Sequence, residues 1–466
     1  MNTNEGANRA VGVLRETLGA QIIALPEEFG DRRVEDWSGM PGKTPLALAR
    51  PRSTEQVAQI LAICSRHRQP VVTQGGLTGL VGGANALDNE IALSLERMNR
   101  IVEIDAISGT MTVEAGAVLQ NVQEAASDAG FYFPLDLGAR GSCTIGGNLA
   151  TNAGGNRVIK YGMMRDQVLG VEAVLASGEI VGGLNKMIKN NSGYDLRHLL
   201  IGSEGTLAVI TRVVLRLRSK PTAIATAWCG LRDFEAVTTL LTRAQAGLAS
   251  GVSAFEVMWA GYHDAVIANL DNLRAPLANA YPFYVLMESV GADPARHNDA
   301  FEEFLGEMLE AGVVDDAAIA TSEAHACDFW AIRDAPGEYQ RFIPNHAAYD
   351  VSFSIAQAGD AAQCCEARLR ERWPDALVMT YGHLGDGNIH IVVDVPGMDP
   401  QGHDEIDAVV YNVTREFDGS ISAEHGIGTK KQDYLPQCRS ASDIGVMRAI
   451  RQALDPHGIL NPGKVV

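Results

Sequence analysis

Two segments near the C-terminus hold the residue types that do chemistry: Tyr381-Gly-His-Leu-Gly-Asp-Gly-Asn-Ile-His390 and, further on, Ser422-Ala-Glu-His-Gly-Ile-Gly428. The first reads as a hairpin. Ala376–Thr380 and Asn388–Asp394 are apolar runs, and Asp386-Gly387 between them is a strong two-residue turn signal. With that pair in the turn, Gly385 faces Asn388, Leu384 faces Ile389, and His383 stands directly across from His390, with Cβ atoms roughly 5 Å apart. Two imidazoles at that separation can share one metal ion. Glu424 would complete a His₂–carboxylate set, which suits zinc with one position open for water or substrate. A lone strand histidine is usually only a satisfied polar residue. A facing pair followed by a Glu-His dipeptide makes a catalytic metal site the better reading.

A second kind of chemistry lies in the glycine loops. Gln74-Gly-Gly-Leu-Thr-Gly79, then Gly82-Gly83, comes straight off an apolar strand. Successive glycines let backbone N–H groups converge on one concavity, which can cradle a pyrophosphate without side-chain charge. Neither GxGxxG opening a helix nor the GK[ST] of a P-loop is present, so this loop alone is as compatible with a plain turn. The stretch Gly138–Gly155 shifts the balance, because it is too long and too glycine-rich for an ordinary connection. Its Ser142, Thr144, Asn148, Thr151 and Asn152 add hydroxyls and amides, and the two loops together suit a dinucleotide. Ile201-Gly-Ser-Glu-Gly-Thr-Leu-Ala-Val-Ile210 offers a third glycine turn and an apolar strand for a flat ring.

The elements that must position these groups follow from periodicity. Residues 1–43 read as a helical lead-in with Val11, Leu14 and Leu18 at helical spacing. Thr44–Ala49 is a short strand, Ser53-Thr-Glu-Gln56 a capping box opening a helix, and Pro70–Thr73 the next strand: a β-α-β unit. Strands are expected at Ile91–Leu95, Ile101–Ile104, Met111–Glu114, Val171–Leu175 and Thr206–Leu217, with a helix at Leu119–Ala129. Pro221 is the expected boundary between a domain over 44–220 and another over 221–466. In the latter, helices Asp233–Ala246, His297–Gly312 and Ala361–Arg372 alternate with strands Tyr284–Glu288, Tyr349–Ser354 and the hairpin. That pattern predicts an α+β fold with an antiparallel sheet. Residues 443–466 form a tail that begins as a helix.

Composition excludes several classes. A chain of 466 residues calls for two or three domains. Its formal charge of −19 argues against nucleic acid or an anionic membrane as partner, since neither would be attracted over distance. Seven cysteines, an odd number without CxxC spacing, argue against a disulfide framework or thiolate zinc site and for a reducing compartment. With no basic-then-apolar leader at Met1–Gly6 and no apolar run near ~18 residues, a cytoplasmic protein without a transmembrane segment is expected.

These loops, with Asn190-Asn-Ser-Gly-Tyr-Asp-Leu-Arg197 and the two histidine segments, resemble the FAD-linked oxidases of vanillyl-alcohol-oxidase type. Within them the chain is similar to the FAD-dependent D-2-hydroxyacid dehydrogenases, the D-2-hydroxyglutarate and D-lactate dehydrogenases among them. The likeness runs from about Thr44 to the C-terminus. It implies a PCMH-type FAD-binding domain of two α/β subdomains, a C-terminal substrate domain, and a tail returning to the flavin. FAD would be held by Gln74, Gly75, Gly76, Leu77, Thr78 and Gly79, by Pro134, Asp136, Gly141, Ser142, Gly146, Gly147, Asn148 and Thr151, and by Glu204, Gly205, Ile210 and Asn461. The first loop has no His, Cys or Tyr, so the FAD is expected to be non-covalent. His383, His390 and Glu424 correspond to ligands of a divalent metal, zinc first, and His425 to the catalytic base. Arg333 matches an arginine that clamps the substrate carboxylate, whereas the residues alone favour a surface arginine paired with Asp334 or Glu338.

The implied substrate is a small anionic 2-hydroxy acid. The implied electron acceptor is an electron-transfer flavoprotein, a quinone or a cytochrome, and a homodimer is open. Where D-2-hydroxyglutarate dehydrogenases carry polar or basic residues, this chain has Gly337, Ala348 and Val392, which leaves room for D-lactate. Arg341, His346, Lys430 or Lys431 are the available substitutes. Two other readings are a flavoprotein subunit of a glycolate-oxidase-type complex and a non-catalytic FAD electron relay.

Overall fold

The computed structural model describes residues 3–248 and 251–466; the first two residues of the lead-in lie outside the described residues. Helix Thr3–Leu18 buries Leu14 against the same core as helix Thr54–His67. The second helix starts where Ser53 accepts a hydrogen bond from the Gln56 N–H and stops at Arg68, whose φ of 51° is left-handed. That helix links strands Ala47–Ala49 and Val71–Gln74, and both pair in parallel with Ile91–Ser94. With Ile23–Ala24 they form a four-stranded sheet. A five-stranded antiparallel sheet follows, in the order Ile101–Asp105, Thr110–Glu114, Val209–Arg216, Val168–Val174, Ile180–Gly183. The two sheets share one apolar core, and the chain returns to it at Ile459 and Leu460.

From Ala223 onward, seven strands build one antiparallel sheet. Its order is Asp316–Ile319, Ala223–Leu231, Phe283–Gly291, Val252–Trp259, Leu377–His383, Asn388–Asp394, Ala347–Ser352. Period-2 alternation sorts its side chains. Val257, Val285, Met287, Val351, Ile389 and Ile391 pack on helices Phe234–Gly247, Pro294–Glu310, Ile355–Arg372 and His403–Glu416. The other face packs Trp228, Met258, Leu286 and Met379 on helices Ala260–Asn269 and Glu323–Arg333, and its remaining area carries polar residues. Among the described residues no helix is long and apolar enough to cross a membrane, and no two cysteines are bonded.

The hairpin register differs from the expected one. Asp386-Gly387 is not a two-residue turn. Leu384–Asp386 forms a 3₁₀ turn closed by Gly387 at φ 80°, giving a four-residue loop. The Asp386 carboxylate accepts the Asn388 N–H inside that loop. His383 therefore faces Asn388, and His390 faces Tyr381. The two histidines are diagonal neighbours on one face, their rings 5.4 Å apart between centroids. Sharing of a face survives; direct opposition does not.

Candidate active site

A cavity of about 930 Å³ runs from the glycine loops to the hairpin. Gln74 through Gly79, Asp136, Gly146, Gly147, Asn148, Thr151, Glu204, Gly205, Ile210 and Asn461 line it, and so do Arg333, His383, His390, Glu424 and His425. Pro134, Gly141 and Ser142 do not. Ser142 turns its carbonyl onto Gly76, and Cys143 and Thr144 face the cavity instead.

That contact changes the reason for glycine at position 76. A Cβ there would lie 2.1 Å from the Ser142 carbonyl oxygen, and one at Gly75 would lie 2.6 Å from the Thr144 hydroxyl. The first loop is glycine because it packs on the second loop, and together they make one cradle. Gly155 repeats the device at φ 148°, with the Asp136 carbonyl 2.0 Å from its would-be Cβ. Three lining residues other than glycine, Leu77, Glu204 and Asn461, hold left-handed φ values of 56°, 51° and 41°. Backbone strain gathers at this wall, as it does at binding sites.

Glu204 and Asn461 line the cavity, yet their polar atoms join segments. Glu204 accepts the N–H groups of Ile427 and Gly428 at 2.8 Å each. Asn461 accepts the Thr73 N–H at 2.9 Å and donates to the Glu204 carbonyl at 2.7 Å. The histidine-bearing segment and the C-terminal tail are thereby fixed to the glycine loops. Gly154 lies against Glu424, whose Oε1 is 2.6 Å from a would-be Cβ.

Strand register builds the other end in rows. Glu256, His383, Asn388 and Ser352 align across four strands; Met258, Tyr381, His390 and Asp350 form the next row; Met379, Val392 and Ala348 form the third. One ligand atom from each of His383, His390 and Glu424 lies within 4.8 Å of the others. Nδ1 of His383 meets the wholly buried Glu256 at 2.8 Å, while Nε2 faces Glu424 at 4.0 Å. A carboxylate behind a histidine in this way orients the ring as a ligand; in this structure Nη2 of Arg333 also stands 3.2 Å from the same Nε2. Burial disfavours a charged His383, but Glu256 outweighs it and raises the pKa to about 9. Burial lifts Glu424 to about 7, with Asp350 and Asp386 adding to it. His390, buried and beside His383, is held well below the imidazole range.

Arg333 is not a surface residue. It is buried, its Nε donates to Glu256 at 2.6 Å, and its guanidinium lies 4.9 Å from the Tyr381 ring centroid. Neither Asp334 nor Glu338 pairs with it; Glu338 pairs with Arg341.

Two acids that the sequence reading did not single out organise this end. Glu256 joins His383 to Arg333. Asp350 seats the Ser422–Gly428 segment: its Oδ2 accepts the N–H groups of Ala423, Glu424 and His425 at 3.2, 2.9 and 2.9 Å. Its Oδ1 accepts the Asn388 amide at 2.9 Å. The segment bends just after His425, with Gly426 and Gly428 at φ 86° and 52°. It sets His425 with Nδ1 3.8 Å from Asp350 Oδ2. Burial lowers the His425 pKa, opposed by Asp350. Asp350 stays well below the carboxylate range: burial alone would raise it, and His425, Lys431 and the backbone N–H groups outweigh that. The signal for both acids was a lone carboxylate inside an apolar run, Phe255-Glu-Val257 and Tyr349-Asp-Val351.

FAD and a divalent metal both suit these residues. The paired loops form a backbone cradle packed too closely for a Cβ at Gly75, Gly76 or Gly155, which fits a pyrophosphate, and two imidazoles with a carboxylate are a zinc-type donor set. Comparison with known proteins agrees on the flavin. Residues 220–465 match the family described as FAD linked oxidases, C-terminal domain, and residues 45–182 match the FAD binding domain. D-2-hydroxyglutarate dehydrogenase, mitochondrial, of Arabidopsis thaliana is 37% identical over 98% of this chain and 82% of its own length. The D-2-hydroxyglutarate dehydrogenase of Xanthomonas citri pv. viticola is 40% identical over 92% of this chain and 91% of its own. In fold, p-cresol methylhydroxylase superposes with a TM-score of 0.76 at 15% identity, covering 99% of this chain and 97% of that one. The chain belongs to the FAD-linked oxidases.

Proposed function

We propose that this protein is a metal-assisted, FAD-dependent dehydrogenase that oxidises a D-2-hydroxy acid to the 2-oxo acid, with D-2-hydroxyglutarate the first candidate and D-lactate the second. The observation that carries the reading is the meeting of His383, His390 and Glu424 on the wall of the cavity that the glycine loops line. The names of the Arabidopsis and Xanthomonas relatives support the substrate.

When bound, FAD supplies the acceptor for two electrons and a divalent cation supplies Lewis acidity toward the substrate hydroxyl. The chain's own residues do the rest. Arg333 offers the substrate carboxylate a planar fork, held in place by Glu256 on one side and the Tyr381 ring on the other. His425, kept neutral by burial, accepts the hydroxyl proton. Asp350 then stabilises the imidazolium that forms, as the third member of a base–orienter arrangement.

Anaerobic mixing with each enantiomer of 2-hydroxyglutarate and of lactate tests this. The D-forms should bleach the visible flavin absorbance and the L-forms should not. Protein stripped by a chelator should keep its flavin, fail to bleach, and recover with added zinc. Equal bleaching after verified metal removal would overturn the metal's role.

A further inference from the structure

We propose that His346 determines which side chain the substrate carries, by meeting the second charge of a dicarboxylic 2-hydroxy acid. The inference rests on the function proposed above and refines it. A substrate held at its hydroxyl and first carboxylate by the histidine row and Arg333 must lay its remaining carbons along the wall beyond. The next row, Ala348 opposite Val392, lies two strand residues away from the Asp350–His390 row, roughly 7 Å. It is apolar, and Gly337 beside the cavity has open space where a Cβ would stand. A carboxylate reaching this wall with no partner would meet a heavy desolvation cost.

His346 lines the same cavity immediately before strand Ala347–Ser352, in phase with Ala348 and Asp350. Its Nδ1 lies 2.7 Å from the Ile343 carbonyl, so that nitrogen carries a hydrogen and donates it. The Tyr339 ring stands edge-on at 5.6 Å and 89°, setting the imidazole plane. Nε2 has no partner among the described residues. With a hydrogen on Nε2 as well, the ring can donate to the far carboxylate of a five-carbon diacid lying along this wall. Lys430 does not line the cavity, and the other cations are engaged. Arg333 serves Glu256; Arg341 pairs with Glu338; the Lys431 ammonium donates to the Ile421 carbonyl beside Asp350. Arg140, the remaining cavity-lining cation, is tied to Asp136 and the Leu137 carbonyl.

The test compares D-2-hydroxyglutarate with D-2-hydroxyvalerate, a five-carbon acid that lacks the second carboxylate. It uses flavin-loaded, zinc-loaded wild type, His346→Leu, His346→Lys and Arg140→Leu. His346→Leu should lose at least about tenfold in kcat/KM for D-2-hydroxyglutarate, chiefly through KM, and stay within about twofold for D-2-hydroxyvalerate. His346→Lys, which restores a cation, should retain the diacid. An equal fall for both acids in His346→Leu marks a structural role and overturns the proposal; so does an unchanged ratio, or a selective loss in Arg140→Leu alone. If neither these acids nor D-lactate bleaches the wild-type flavin, the proposed function itself fails and this inference falls with it; bleaching by D-lactate alone overturns only the inference. Bleaching by the diacid with an unmoved ratio removes only the assignment to His346.

Discussion

Asp350 gathers three consecutive N–H groups on a single carboxylate oxygen and faces His425 with the same charge. Asp350→Ala would strand those donors in a buried place, at about 1–3 kcal/mol for each one left unsatisfied. It should lower the melting temperature and abolish most turnover, because Glu424 and His425 ride on the backbone it holds. Asp350→Asn keeps an acceptor and removes the charge, so it should melt closer to wild type while kcat still falls. A melt and a turnover assay on both variants check this; an Asp350→Asn enzyme with wild-type kcat would show that only the hydrogen bonds matter. His425→Ala should keep flavin and metal yet lose about 10²–10⁴-fold in kcat. The acidic limb of the pH–rate profile tests the same residue. His425 has a lowered pKa, so it stays an unprotonated base through neutral pH, and activity should fall only below the ordinary imidazole range. In His425→Ala that limb should vanish or move. The gathering of His383, His390, Glu424 and His425 could be read from spacing because those residues lie in two short segments. The partners behind them could not, since Glu256 lies 127 positions before His383 and Asp350 lies 75 before His425.

At the level of elements, the hairpin shows what pattern can and cannot fix. Apolar alternation put both histidines on one face, because period 2 survives a register shift of two residues. It could not choose between a two-residue and a four-residue loop, because Asp386-Gly387 suits either one. Strands Ala223–Leu231 and Val252–Trp259, absent from the sequence reading, are buried along nearly their whole length and carry a weak alternation signal. The glycine loops were legible as a phosphate cradle, but the packing of one loop on the other was not, since it joins positions distant in sequence. Gly76→Val tests that packing. Its side chain would collide with the Ser142 carbonyl and push the loops apart, so the purified protein should carry substoichiometric flavin and melt below wild type even before cofactor is considered. If the apoprotein melts normally and only flavin binding falls, the clash is with the cofactor and the loop-on-loop account is wrong.

For the molecule as a whole, the flavin wall and the histidine wall are one structure. Glu204 holds the Ile427 and Gly428 N–H groups, Gly154 abuts Glu424, and Arg157 reaches from the loop side to Glu288 while lying against Trp330, three residues before Arg333. Loosening one wall should loosen the other. Asn461→Ala, which removes the bridge between Thr73 and Glu204, should weaken FAD binding by about tenfold, the equivalent of one lost hydrogen bond. Turnover at saturating FAD should stay near wild type. Flavin titration of the apoprotein measures the first and a saturated assay the second; unchanged affinity would mean the tail is not part of the cradle.

The bond from the Thr73 N–H to Asn461 spans 388 positions. During synthesis at about 5–20 residues per second, roughly 20–80 seconds separate the making of the first glycine loop from the arrival of its last brace. Through that interval the strand leading into the loop lacks its partner at Leu460 and the turn at Glu204 lacks its clasp. The nascent chain therefore presents an open, aggregation-prone sheet edge for longer than most small domains take to fold. Cofactor loading therefore waits until Asn461 has been made. Cells short of flavin should accordingly accumulate full-length apoprotein, and free FAD should act on it as a late folding partner.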